Sequence, residues 1–262
     1  MFEIRSWRQQ IVLQIIVTIA VIPFLIPIYA MVSRSLEGRG WGNYLAVIQV
    51  PGFLRFFMNS AIIAGGSIIL VYLATLMAAF GFSKLRVRNK EVLFWMMMAA
   101  LTLPEVVLIA PLYATAVNLG LLGTFWSVIL PISALQIPFA VLICRGYVDG
   151  IPDALFEAAR IDGAGTWRTF WSILVPMAKP MAVAIVVLIL IFAWNAYLLP
   201  KVFLINEDMG VVTLLPEFFK RQYNDDTPKV LAAAVVTAIP TIVAYIGLQK
   251  QFERGMAAGA IK

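Results

Sequence analysis

The 262-residue chain is 62% hydrophobic and only 13% charged, its net charge is +6, and its mean hydropathy is +0.91. A soluble domain of this size needs far more polar surface, so the composition indicates an integral membrane protein. In such a protein the excess of Lys and Arg indicates which segments lie in the cytoplasm, and it is not taken as a sign of nucleic-acid binding. With no histidine and the single cysteine Cys144, the sequence excludes histidine catalysis, Cys/His zinc sites and disulfides within the chain.

Six apolar stretches are long enough to cross a bilayer as helices, which takes about 20 residues each. They are Ile11–Val32, Asn59–Phe82, Val92–Val117, Thr124–Cys144, Met181–Pro200 and Val230–Gln249. Helices are expected because irregular backbone cannot face lipid. The first stretch follows Arg5 and Arg8, but it is too long for the apolar region of a cleaved signal peptide, so we expect it to stay as a helix.

The distribution of basic residues predicts the topology. With the N-terminus inside the cell, 13 of the 20 Lys and Arg residues fall on inside segments and 7 on outside segments. The tightest cluster, residues 84–90, lies inside in this arrangement. Because loops with excess Lys and Arg stay in the cytoplasm, both chain ends and the polar segment 149–180 are predicted to be cytoplasmic.

Segment 149–180, between the fourth and fifth stretches, is predicted to begin with a short helix. Pro152 suits the first turn of that helix, and Asp153 and Glu157 lie toward its positive end. Gly163 is expected to end the helix, since glycine readily takes the positive φ of a C-terminal cap. Residues spaced three and four apart are expected to share one flat face of the helix, namely Leu155, Ala158, Ala159 and Asp162.

A second short helix is predicted after Thr166, whose hydroxyl can cap the N-terminus. Pro176 and Pro180 are expected to end it and to set the fifth span. Its apolar face is expected to comprise Trp167, Phe170, Trp171 and Leu174, and tryptophans suit the membrane interface. The alternative that the residues leave open is an ordinary amphipathic loop helix lying on the bilayer.

The order of short motifs points to a family. Glu157-Ala-Ala-x-x-Asp-Gly-Ala, followed by Phe170 and Leu174-Val175-Pro176, resembles the cytoplasmic motif of permease subunits of bacterial ABC importers, in the carbohydrate-uptake subgroup that includes maltose-type permeases. Other segments typical of that family run in order over residues 53–262: Phe57-x-Asn59-Ser60, Pro111-Leu-Tyr113, Trp194-Asn195, Ala232-Ala233, Pro240 and Gln249-x-x-Phe252-x-x-Gly255. The chain departs from the family at Ala196, where an acidic residue is usual, and in lacking a final glycine.

This resemblance implies an all-α integral membrane protein with about six transmembrane helices, both termini in the cytoplasm, and the type I ABC importer permease fold in one domain, residues 1–262. It also implies a cytoplasmic coupling helix that sits in a cleft of a separate ATPase subunit. The residues assigned to that contact are Glu157, Ala158, Ala159, Asp162 and Gly163. Glu157 would anchor by charge, the alanines would allow close approach, and Gly163 would permit the turn.

Energy and partners are expected to come from outside the chain. No G-x-x-x-x-G-K-[ST] phosphate loop is present, so ATP and Mg are expected on a dimeric ABC ATPase and no cofactor on this chain. Closure of the ATPase dimer would switch the spans between inward- and outward-facing states. The resemblance further implies a sister permease, a bacterial inner-membrane location, and an extracytoplasmic solute-binding protein that meets the outside loops 33–58 and 201–229. Candidate contacts in those loops are Trp41, Tyr44, Tyr223, Asp225 and Asp226.

Candidate residues of a solute path are fewer. Glu105 is the one carboxylate well inside a predicted span, a position that suggests function, but it follows Pro104, where a helix break gives it a structural explanation. Polar side chains able to hydrogen-bond a sugar or sugar-like solute, or to join helices, are Asn118, Gln136, Asn195 and Tyr197. No catalytic or metal-binding residue is predicted, so an enzyme is not expected. The alternative function is an ion-coupled secondary carrier for a small polar solute, which would need midplane carboxylates and repeated halves.

Overall fold

The computed structural model describes residues 7–220 and 226–260, with side chains for all of these except Glu207 and residues 251–260. The described residues form helices and turns, and no strand occurs among them. The α-helices are α1 (Trp7–Ser35), α2 (Trp41–Ile48), α3 (Phe53–Lys84), α4 (Lys90–Ala99), α5 (Glu105–Asn118), α6 (Trp126–Asp149), α7 (Asp153–Ile161), α8 (Thr166–Thr169), α9 (Val175–Met177), α10 (Lys179–Trp194), α11 (Leu198–Phe203) and α12 (Thr227–Ala260). Short 3₁₀ turns cover Ala100–Thr102, Glu207–Met209 and Val212–Phe219.

Four helices in the described part of the chain are long and apolar enough to cross a membrane by themselves: α1, α3, α6 and the first part of α12. Two bent pairs pass the same test together, namely Lys90–Thr102 with Glu105–Asn118 and Thr166–Met177 with Lys179–Trp194. Counting each bent pair as one span gives up to six, which matches the six apolar stretches of the sequence. The prediction of an all-α chain with about six spans is therefore confirmed.

The third predicted span is bent, at the break that Pro104 allowed in the sequence. The chain bends by 105° between Thr102 and Glu105. Leu103 (ψ 117°) and Pro104 (ψ 137°) are extended. The residue before a proline is pushed out of the helical region by the proline ring, so the break follows from the Leu-Pro pair itself. Pro104 then precedes a fresh helix N-terminus at Glu105.

The fifth predicted span is also wrong at its end, because α10 stops at Trp194 and not at Pro200. In a continuous helix the N–H of residue 200 would bond the carbonyl of Ala196, and proline has no N–H to donate. The hydroxyl of Thr213 donates to that carbonyl instead, at 2.7 Å. The chain therefore starts a separate short helix, α11, in which Pro200 lies in the first turn.

Contacts divide the chain into two compact units, the first formed by α1, α2 and the beginning of α12, the second by residues 54–214 with the rest of α12. In the first, Asn43 is 2% exposed and donates to the carbonyls of Ser35 and Glu37, both at 2.9 Å. This amide fixes the corner between α1 and α2. The prediction of one domain over residues 1–262 stays a prediction.

The core of the second unit lies where α3, α6, α7, α8–α9 and α10 meet. Its largest members are buried apolar side chains, among them Val71, Leu76, Phe80, Phe156, Phe170, Leu174, Met181 and Ile185. Phe80 lies between two of these elements, because its ring centre is 6.2 Å from that of Phe156 and 5.7 Å from that of Phe170. The short helices of segment 149–180 are thus packed against the spanning helices.

The two ends of α3 contact different polar segments of the chain. The C-terminal end of α3 contacts the segment around Asp153, and the N-terminal end contacts residues 208–212. This grouping agrees with the charge count, which assigned segment 149–180 and loop 201–229 to opposite sides of the membrane.

Candidate partner-binding site

Helix α7 ends in the turn that the sequence predicted. Gly163 has φ +74°, its N–H donates to the carbonyl of Arg160 at 3.1 Å, and the N–H of Ala164 donates to the carbonyl of Ala159 at 2.8 Å. These two bonds form the Schellman arrangement, in which a left-handed residue after the helix satisfies its last carbonyls. Pro152 lies one position before α7 as its N-cap, so Asp153 and not Pro152 is the first helical residue.

The predicted flat face of α7 is only partly formed. Ala159 is 7% exposed and packs inward beside Phe156, so the expectation that it lies on the outer face with Ala158 is wrong. The outer face carries Ala158, Glu157 and Asp162, which are exposed, together with two large apolar side chains. Ile161 is 87% exposed and Leu155 is 42% exposed. The exposed face is therefore apolar at its centre and acidic at its edges.

Lys84, the last residue of α3, fastens the N-terminal end of α7. Its side chain is 6% exposed, and its Nζ donates to the carbonyl of Ile151 and to the carboxylate of Asp153, both at 2.7 Å. The ammonium also lies 5.1 Å from the ring centre of Phe156. The hydrogen bond from Lys84 and its positive charge hold the pKa of Asp153 below the usual range, and the charge of Arg160 adds to this. A buried ammonium needs such partners, because removing it from water is costly.

Arg160 closes the contact from the other end of α7, since its Nη2 donates to the carbonyl of Lys84 at 3.4 Å. Lys84 and Arg160 also line a cavity of about 150 Å³ with Phe80, Thr166 and Thr169. Sequence reasoning assigned neither cation to this role. The available signal was the position of Lys84 at the end of an apolar stretch that faces a segment starting with Asp149-Gly-Ile-Pro-Asp.

The second helix of the polar segment differs from its prediction in two respects. Gly165 and not Thr166 is the N-cap, and no side chain caps the helix. The predicted apolar face of four residues divides, because Phe170 and Leu174 are buried whereas Trp167 and Trp171 are 66% and 51% exposed. A single π-helical turn, Phe170–Leu174, joins α8 to α9. The two tryptophans therefore face outward, as an interfacial helix requires.

Near the C-terminal end of α6, Arg145 binds the first turn of α4. Its guanidinium donates to both carboxylate oxygens of Glu91, at 2.5 and 3.1 Å, and lies 3.8 Å from Asp149. It also stacks 4.3 Å from the ring centre of Phe94. Only 17% of the Arg145 side chain is exposed. The two-pronged geometry suits Arg and not Lys. The sequence alone did not indicate this structural role, because it does not show that Glu91 lies beside Arg145.

At the opposite end of α3, the amide of Asn59 holds the segment 206–212. Asn59 is 6% exposed and donates to the carbonyls of Asp208 and Gly210 at 3.0 and 2.8 Å. The hydroxyl of Ser60, which is also buried, accepts from the N–H of Val212 at 2.9 Å. The Asn59-Ser60 pair was noted in the sequence only as a resemblance, and the structure gives it a physical role.

The five candidate path residues do not form one cluster. Glu105 and Asn118 are the first and last residues of α5, about 20 Å apart at 1.5 Å per residue. Glu105 is half-buried beside the break after Pro104, where the sequence allowed it a structural explanation. Gln136 lies half-buried in the middle of α6.

Asn195 and Tyr197 are neighbours at the end of α10. The Asn195 amide donates to the carbonyl of Ile191 within its own helix at 2.8 Å. The Tyr197 hydroxyl accepts from Lys201 at 2.8 Å. Both side chains thus have partners within the chain, and their role toward a solute stays a prediction.

The candidate contacts in the outside loops are placed in part. Trp41 is 75% exposed, and its ring centre lies 5.3 Å from that of Tyr44. Asp226 is paired with Lys229, and the hydrogen bond from that lysine holds the pKa of Asp226 below its usual range. Tyr223 and Asp225 lie outside the described residues.

Comparison with known proteins gives consistent results. The family model described as the binding-protein-dependent transport system inner membrane component matches residues 70–258. The diacetylchitobiose uptake system permease NgcG of Streptomyces coelicolor is 30% identical over 84% of this chain and 74% of its own length. The melibiose/raffinose/stachyose import permease MelC of Bacillus subtilis is 27% identical over 96% of each chain. Among solved structures, a chain of a bacterial ABC transporter that imports the acidic polysaccharide alginate has a TM-score of 0.78 and 21% identity, covering 96% of this chain and 100% of that one.

Proposed function

The chain belongs to the family of binding-protein-dependent transport system inner membrane components, and we propose that the solute it carries is a sugar or a sugar-like compound. It is a multi-pass inner-membrane permease subunit of an ABC importer and not an enzyme. The ATPase is a separate subunit, and the solute is delivered by a binding protein. Membership of this family favours the ABC importer over the ion-coupled carrier.

The proposal that α7 is the coupling helix rests on one observation above all: its two faces differ. The inner face is fastened by Lys84, Phe156 and Arg160, whereas the outer face exposes Ile161 and Leu155. An exposed apolar pair with charged edges is typical of a surface that a partner covers. The ATPase is that partner in our proposal, with the cytoplasmic side assigned by the excess of Lys and Arg.

The roles of the coupling residues are adjusted to this geometry. Glu157 and Asp162 form the charged edge, Ala158 lets the partner approach the backbone, and Gly163 sets the turn. Ala159 acts through packing inside the chain and does not contact the ATPase. ATP and Mg are bound by the ATPase, and this chain binds no cofactor.

Two further partners are proposed, one within the membrane and one at the outer side. A sister permease completes the path, because six spans are few to enclose a sugar. The solute-binding protein meets loops 33–58 and 201–229, where Trp41 is the most exposed aromatic candidate among those described. Glu105, Asn118, Gln136, Asn195 and Tyr197 remain the candidate path residues.

The proposal of a sugar solute is supported by the names of two relatives, which give diacetylchitobiose as the solute of one and melibiose, raffinose and stachyose as the solutes of the other. Purifying the importer with its binding protein and identifying the retained ligand by mass spectrometry tests the class directly. We expect a mono- or oligosaccharide or a polyol derivative. An amino acid, a peptide or a metal ion in that position would refute the sugar proposal.

A charge placed on the outer face of α7 tests the coupling assignment. We expect Ile161→Asp to prevent co-purification of the ATPase with the tagged chain. The Ile161 side chain is 87% exposed, so its replacement should leave the fold of this chain unchanged. Val87→Asp, an exposed apolar residue in the loop between α3 and α4, is the matched control and should retain the ATPase. Retention of the ATPase by both variants would refute the assignment.

A further inference from the structure

Helix α3 is attached at its N-terminal end to the segment 206–212 and at its C-terminal end to α7. It runs without a break for 32 residues, from Phe53 to Lys84, which is about 48 Å at 1.5 Å per residue. Near its N-terminal end Asn59 and Ser60 hold the segment 206–212, and its last residue holds α7. A single rigid element therefore contacts both the helix that faces the ATPase and the loop that faces the binding protein.

The N-terminal attachment is specific. A single buried amide, that of Asn59, satisfies two carbonyls of the segment, so moving the segment away would leave three polar groups without partners. Gly210 adds close packing, because a Cβ there would lie 2.5 Å from the ring of Phe56. Arg55 pairs with Asp208 at the exposed edge of the same contact. The segment 206–212 must follow any movement of this end of α3.

The C-terminal attachment holds α7 at three points. Lys84 binds the carbonyl before α7 and the first carboxylate in it. Phe156 packs against Phe80 of α3 in the middle. Arg160 reaches back to the carbonyl of Lys84 from the last turn. A displacement applied to the outer face of α7 therefore passes to α3.

The middle of α3 can transmit such a displacement. The side chains buried along it include Ile63, Ala64, Ser67, Val71, Thr75, Leu76 and Ala79. At Gly66 the helix lies so close to α6 that a Cβ would be 2.8 Å from the side chain of Ile129. A hydrogen-bonded helix supported in this way moves as a body, as packed helices do in hinge and shear motions.

We propose that α3 is the rod that links movement of α7 to the position of the segment 206–212, with Lys84 and Asn59 as the positioning residues at its two ends. The inference rests on the proposed function, in which α7 meets the ATPase and loop 201–229 meets the binding protein. In this proposal a binding protein that moves the segment 206–212 also moves α7 through α3, and its effect on ATP hydrolysis depends on α3.

The test uses the complete importer in lipid nanodiscs with its own binding protein, and measures the ratio of stimulated to basal ATP hydrolysis. We expect Lys84→Met and Asn59→Leu each to lower this ratio at least about tenfold. The double variant should be no worse than the lower single variant, because both changes cut the same link. Lys84→Arg should restore most of the ratio, since a guanidinium can donate to both oxygens that Lys84 bonds.

Matched controls separate this role from general damage. Lys179→Met removes an exposed lysine at the start of α10, and Thr115→Val removes a hydroxyl that bonds within its own helix, to Pro111. Both should keep the wild-type ratio. Nitroxide labels at Met77 and Ala154, in a Cys144→Ser background, report the distance between α3 and α7 independently of activity. We expect one narrow distance with and without trapped nucleotide, and a broad distribution in Lys84→Met.

Three results would overturn the rod: a wild-type ratio in either single variant, additive losses in the double variant, or a label distance that changes with nucleotide in the unmutated complex. Failure of the proposed function looks different, because the ATPase would then not co-purify with the wild-type chain at all. That result would overturn both proposals, whereas a normal ratio in the variants overturns only the rod.

Discussion

The turn after α7 allows a prediction whose magnitude follows from the backbone alone. Gly163 has φ +74°, and a Cβ built there meets no heavy atom within 4 Å. Substitution therefore introduces no clash, and its effect comes from the left-handed conformation. Two hydrogen bonds, at 3.1 and 2.8 Å, depend on that conformation.

An L-residue in the left-handed region costs about 1–2 kcal/mol, and a β-branched residue lies at the upper end of that range or above it. A cost of about 2 kcal/mol changes the population of the turn about 30-fold, since 1.4 kcal/mol is a factor of ten. The two hydrogen bonds contribute a net amount of about 1 kcal/mol each, so they cannot offset the strain by a wide margin. Because the two terms are nearly equal, we expect Gly163→Val to displace the turn in about half of the molecules or more.

The assay compares Gly163→Val with Gly165→Val for ATPase co-purification and for hydrolysis stimulated by the binding protein. Gly165 is extended, with φ −67° and ψ 167°, and a Cβ there also meets nothing within 4 Å. The same side chain added two residues later thus carries no conformational cost. We expect at least about a twofold loss of stimulated hydrolysis for Gly163→Val, membrane insertion as in the wild type, and normal activity for Gly165→Val.

Gly163→Asn should fall between these two, since asparagine tolerates the left-handed region better than other side chains do. Equal losses at both glycines would show that bulk and not φ is responsible. Normal stimulated hydrolysis in Gly163→Val would refute the turn as part of the coupling contact.

Three further predictions concern other contacts. Glu157→Lys should weaken ATPase association without changing the affinity of the binding protein for its solute, and unchanged co-purification would remove Glu157 as the charged anchor. Arg145→Met should lower the melting temperature in detergent, because the two-pronged bond to Glu91 is lost. Arg145→Lys should melt in between, and equal melting of all three proteins would contradict the geometry. Gly210→Ala should destabilise by about 1–3 kcal/mol through overlap with the ring of Phe56, and Phe56→Leu in the same chain should recover part of it. No recovery would mean that the close contact is not the cause.

Several features of the fold were predictable because they depend on local chemistry. Apolar length gives the number of spans, and the Leu103-Pro104 pair gives a break where the structure bends by 105°. The positive φ of Gly163 followed from a glycine at the end of a short amphipathic helix. The end of α10 was not predicted, since the hydroxyl that replaces the missing N–H of Pro200 comes from Thr213, a residue distant in sequence.

The candidate site shows the same division. Spacing predicted one face of α7 only in part, because the boundary between faces depends on what packs against the helix. Phe156 and Phe80 set that boundary, and it places Ala159 inside and Ile161 outside. Candidate path residues were chosen because they are polar. Polarity does not show whether such residues lie together, and two of them, Glu105 and Asn118, lie at opposite ends of α5.

The sequence by itself determined that this chain is a helical membrane protein with about six spans, that its basic residues favour one side, and that segment 149–180 forms two short helices. These properties depend on composition and on neighbours within one or two helical turns. Tertiary structure decided which face of α7 is free and which side chains fasten it. It also decided that α3 holds α7 at one end through Lys84 and the segment 206–212 at the other through Asn59. Such contacts join residues 69 and 151 positions apart, and only the packing of the spans brings those positions into hydrogen-bond distance.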